Sequence, residues 1–159
     1  MSQKLNFKRT TSYIAFIVSV LMMLGSCTVK LVPDHDASMV NDITQVAKKV
    51  DKLYLEMLEI PKPEDRKYSP FSAKYVDIEV ELNSLLLRNK AKPLNGNSTR
   101  INEIIIELFK KYKTKHQNED KLSNGLIKNY RIFLGDAFNA MLVAEEGKKY
   151  GQPSELTND

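Results

Sequence analysis

From residue 39 onward the apolar positions fall into four stretches of helical period, separated by short polar breaks. Met39, Ile43, Val46, Val50, Leu53, Met57 and Ile60 recur at alternating steps of four and three, the stripe of a helix with one buried face. Val40, Ala47 and Tyr54 widen that stripe. The pattern predicts a first helix over about 36–60, capped by Asp34 or Asp36 and ended by Pro61. A linker holding Pro61, Pro63 and Pro70 follows. Ser69 and Pro70 read as the cap and first residue of a second helix, over about 70–90.

That second helix carries two stripes. Phe71, Tyr75, Ile78, Leu82 and Leu85 make one, and Val76, Val80 and Leu87 make another. A helix apolar on two faces is expected between neighbours, so this one is expected to be the most buried. After Asn95 and Gly96, a third helix is predicted over about 98–116, capped by Ser98 or Thr99. Ile101, Ile104, Ile105, Leu108, Phe109 and Tyr112 face inward. The fourth is predicted over about 120–150, with Leu122, Leu126, Tyr130, Phe133, Ala137, Met141 and Ala144 inward, broadened by Ile127, Leu134 and Phe138. Gly125 and Gly135 read as points of close helix approach. No stretch alternates with the period of a strand. The expected fold class is all-α, a four-helix bundle.

The chain ahead of the first helix has a different character. Lys4, Lys8 and Arg9 precede an apolar run from Ile14 to Leu24, and Gly25, Ser26 and Cys27 close it. A membrane span needs about 20 apolar residues, and this run is signal-peptide length. Leu24, Gly25, Ser26 and Cys27 together resemble the lipobox of bacterial lipoprotein precursors. The resemblance covers residues 1–28. It implies recognition of Leu24, Gly25 and Ser26 by a signal peptidase and cleavage before Cys27. It also implies a diacylglyceryl group on the Cys27 sulfur and a further acyl chain on its amine in many bacteria. Thr28, where such lipoproteins often carry Asp for inner-membrane retention, leans toward the outer membrane in a two-membrane cell. The expected organisation is a signal peptide (1–26), a lipidated tether (27–35), a helical domain (36–151) and a polar tail (152–159).

Charge changes meaning once the leader is set apart. The whole chain carries +4, but three of its 24 basic residues and none of its 20 acidic ones lie in the leader. The mature part is nearly neutral, which argues against a nucleic-acid surface. Its densest cationic run, from Lys110 to His116, reads as a helix end complementing the dipole. Cys27 is the only cysteine, so no internal disulfide can form.

The search for chemistry returns little. His35 and His116 are the only histidines, and Val32 and Lys113 stand three residues before them, so no di-iron Glu-x-x-His pattern occurs. His116 reads as solvated. No nucleophile elbow or phosphate loop is present. Glu79 and Glu81, two apart on a helix, point away from one another. No catalytic residue, metal ligand or cofactor beyond the lipid is assigned. Arg66 and Tyr68, in the proline-stiffened linker, are the candidate partner surface, since Arg and Tyr are enriched at interface hot spots. The expected function is a membrane-anchored, extracytoplasmic, non-enzymatic helical module binding another envelope protein. Alternatives are a secretion-channel pilot, a surface-exclusion or immunity lipoprotein, and an enzyme with dispersed carboxylates.

Overall fold

The computed structural model describes residues 32–151, and every element within them is helical. Four long helices run Ala37–Leu58 (α1), Ser72–Ala91 (α2), Gly96–Glu119 (α3) and Asn124–Glu146 (α4). Single 3₁₀ turns lie at Pro63–Asp65, Ser69–Phe71 and Gly147–Gly151. Each helix packs on the next, and α1 closes the ring against α4. None of the described helices is long and apolar enough to cross a membrane.

Local chemistry sets the boundaries. Asp36 caps α1, its carboxylate accepting from the Ser38 and Met39 amides at 3.0 and 3.1 Å. Ser123 caps α4 by accepting from the Leu126 amide. Asp120 ends α3 in the left-handed region at φ 50°, a conformation its short polar side chain tolerates. The α2–α3 turn bends at Leu94 (φ 61°) and at neither Asn95 nor Gly96, and α3 begins at Gly96, ahead of Ser98.

On α1 and α2 the core follows the first predicted stripe. Met39, Ile43, Val46, Val50, Leu53 and Met57 are buried on α1, and Tyr75, Ile78, Leu82 and Leu85 on α2. Three expectations fail, the first of them on α3, where Ile104, expected inward, is exposed. The second α2 stripe is not buried: Val76, Val80 and Leu87 are 50, 63 and 71% exposed. Among the described residues, α2 packs against α1 on one side and α3 on the other, and these three residues lie away from both. The phase of α4 is also shifted. Its buried positions are Ile127, Tyr130, Leu134, Phe138, Met141 and Glu145, while Phe133 is 55% exposed. Leu122 is buried but precedes the helix, so a stripe counted from it runs one position out of step.

Candidate functional site

Cys27 and the residues before it, Leu24, Gly25 and Ser26, lie outside the described residues. The linker pair lies within them, and Arg66 is not the exposed residue that the linker's composition suggested. Arg66 is 1% exposed. Its guanidinium donates to the Ile60 carbonyl from Nε at 3.0 Å and Nη2 at 2.7 Å, and to the Leu122 carbonyl from Nη1 at 2.9 Å. These bonds satisfy carbonyls left free where α1 ends and α4 is about to begin. Arg66 is thus a strut between two loops and cannot meet a partner. Tyr68 is half-buried, stacked on Tyr75 with ring centroids 5.6 Å apart.

His116 is likewise not solvated. It is fully buried beneath Tyr68, with Nε2 2.9 Å from the Arg66 carbonyl and Nδ1 3.1 Å from the Tyr75 hydroxyl. Burial pushes its pKa below 6.5, against the opposing pull of the Arg66 carbonyl and Asp120. An aromatic column continues from Tyr75 through Phe109, and Tyr112 stacks on Tyr130 at 3.8 Å. This end of the ring is sealed.

The opposite end holds a polar network tying all four helices together. Glu145 and Lys148 are 1% and 5% exposed and form an ion pair. Lys148 also donates to Asn95 Oδ1 at 2.7 Å. Asn95 donates to Asn89, Asn89 to Asn102, and Asn102 to the Leu82 carbonyl. Glu145 accepts from the Asp36 amide at 3.2 Å. Asp36 faces Lys92 at 2.9 Å and Arg88 at 3.2 Å, and chiefly the Lys92 ammonium holds its carboxyl well below the usual carboxylate range. Val32 packs near Gly151, close enough that a Cβ there would meet it at 2.8 Å. The incoming chain and the end of α4 are fastened together at this end. Each of these side chains is engaged by another, and together they tie the ends of the four helices. Among the described residues no group of three His, Cys, Asp or Glu is placed to hold a metal ion.

The seams between helices differ. Across α1 and α2, Lys49–Glu81, Lys74–Glu56 and Arg88–Asp42 form ion pairs. These strap a seam whose recesses measure about 230 and 240 Å³. Across α1 and α4 a single pair, Arg131 to Asp51 at 2.7 Å, reaches over. The recess there is about 470 Å³ and mostly apolar, with Ala47, Val50 and Leu55 on one side and Leu134, Phe138 and Leu142 on the other. Gly135 lies in its wall, and a Cβ there would meet nothing within 4 Å. The expectation that Gly125 and Gly135 admit a close helix is therefore overturned, since Gly125 is equally open. The trough was missed in the sequence because its residues read as the edges of two separate stripes. An unexplained mid-helix glycine was the one signal of it.

Compared with protein-family models, with curated proteins and with solved structures, the chain matches none of them.

Proposed function

We propose that the chain is a membrane-anchored extracytoplasmic lipoprotein. Its mature part is a four-helix bundle, left after a cleaved signal peptide, that holds another envelope protein without catalysing a reaction. The observation that carries the binding role is the α1/α4 trough: a long apolar recess left open beside a strapped seam, with a glycine where a side chain would otherwise fill it. Mid-helix glycine costs about 1 kcal/mol relative to alanine, and nothing lies within 4 Å of where a Cβ at Gly135 would stand.

The anchor rests on the leader. Cys27 carries a diacylglyceryl group, joined in many bacteria by an N-acyl chain, and two chains hold a protein where one does so only marginally. In a cell with two membranes, Thr28 favours the outer one. From Thr28 to His35 the chain can extend at most about 28 Å, so the end of the bundle carrying the Asp36 network stays near the bilayer. The trough runs along the flank of the bundle, open to a neighbour in the same membrane.

The test is a photoreactive amino acid at Asn139, on the trough's edge, with Ser84 on the strapped seam as control. In membranes of the native host, Asn139 should yield one discrete adduct with an envelope protein, lost when Gly135→Leu fills the recess. Equal labelling from Asn139 and Ser84, or none from Asn139, overturns the binding role.

A further inference from the structure

We infer that the trough takes an amphipathic helix about three turns long with acidic flanks. This rests on the trough being a docking site and adds the chemistry of what docks.

The length follows from the lining. Thr44 to Leu55 on α1 and Arg131 to Leu142 on α4 bound the recess, and each span is about 17 Å at 1.5 Å per residue. The secondary structure of the occupant follows from hydrogen bonding. Both walls are α-helices, whose backbone donors and acceptors are already used within each helix. An extended segment lying between them would bury its own amides and carbonyls without partners, at a cost comparable to lost hydrogen bonds. A helix brings its backbone already satisfied and needs only an apolar face. Ala47 and Gly135 keep the walls low enough to admit its side chains.

The charge of the occupant follows from the rim. Lys48 and Lys52 stand one turn apart on α1, both exposed and both lining the trough. Neither has an ion-pair partner among the described residues, whereas the neighbouring Lys49 is paired with Glu81. The one carboxylate on this rim, Asp51, is engaged by Arg131. The unsatisfied rim charge is therefore positive, and carboxylates flanking an incoming apolar face meet it. A second copy offering its own trough rim would bring the same lysines and no free carboxylate. Such charge matching acts mainly on specificity and association rate and weakens with salt.

The experiment uses the full chain in nonionic detergent with a photoreactive residue at Asn139. Two synthetic helices serve as probes. Both carry leucine at i, i+3, i+4 and i+7, one with glutamate on both flanks and the other with lysine. Adduct yield is titrated against peptide, and partition into detergent is common to every protein variant. The glutamate helix should label saturably. Lys48→Glu with Lys52→Glu should weaken it about tenfold and restore labelling by the lysine helix. Lys48→Gln with Lys52→Gln should give an intermediate loss, and Gly135→Leu should abolish labelling by both. Thermal unfolding of each variant confirms folding. If charge reversal leaves the glutamate helix unaffected while Gly135→Leu still blocks it, the acidic partner is wrong and the docking site stands. If Gly135→Leu does not block either helix, the docking site fails as well. Adducts between two copies of this chain in place of peptide adducts would make a second copy the occupant and overturn the inference.

Discussion

The Tyr75 hydroxyl donates to Nδ1 of His116 across 3.1 Å. The direction is fixed by the other ring nitrogen. Nε2 lies 2.9 Å from the Arg66 carbonyl, which can only accept, so the single proton of the neutral ring sits on Nε2 and leaves Nδ1 as acceptor. A second proton on the ring would require the Tyr75 hydroxyl to turn from donor to acceptor and would place a charge where burial disfavours it.

Folding therefore weakens in mild acid. The unfolded chain binds a proton at His116 near pH 6.5 and the folded chain only at a lower pH. Stability falls as pH drops from about 6.5 toward the depressed value and is level below it. Asp120 and Glu146, whose pKa values are lowered from 3.8 and 4.5, add their losses only in a more acidic window. Urea midpoints from pH 8 to 5 should show the first limb, and His116→Gln, which can still donate and accept but does not titrate there, should flatten it. An unchanged limb in that variant would assign the effect to another group.

Glu145 and Lys148 stabilise only as a pair. Glu145→Ala leaves a buried ammonium beside Asn95, a loss of about 3–5 kcal/mol. Glu145→Leu combined with Lys148→Met replaces the pair by apolar volume and should recover much of that loss. Urea unfolding of the single and double variants measures the coupling. Additive losses would mean that the two residues act independently.

On α2 the two faces should respond differently. Ile78→Ala opens a cavity in the core and should cost about 2–5 kcal/mol. Val80→Ala, on the solvent face, should change stability by under about 0.5 kcal/mol. A large effect at Val80 in the intact protein, absent from the isolated soluble chain, would show a partner covering that face.

Gly135→Ala should raise stability by up to about 1 kcal/mol, because the added methyl enters open space. Gly151→Ala should not, since its Cβ would press on Val32. Thermal unfolding of both variants decides it. A destabilised Gly135→Ala would mean that α1 closes over this position.

The existence of four helices was legible because their stripes keep the helical period over several turns. The polar interior was not, because Asn, Glu, Lys and Arg read as surface. Yet helical phase pointed to part of it. Asn89 stands four residues after Leu85, His116 four after Tyr112, Glu145 four after Met141 and Asn102 three before Ile105, each continuing an apolar stripe, and all four are buried. A polar residue in phase with a core stripe is a buried polar residue that must find a partner. Arg66 had no such signal. Its burial depends on where two loops meet, which no local pattern encodes. The open trough left only Gly135 as a trace, since it is a property of two helices together.

The membrane anchorage and envelope location proposed for the bundle depend on Cys27. Intact-mass measurement of the protein extracted from membranes of the native host tests this most directly. The predicted species lacks residues 1–26 and carries two or three acyl chains on Cys27, and Cys27→Ser should abolish the lipid mass and the processing. A species that retains the leader, or one that begins elsewhere with an unmodified Cys27, would contradict it.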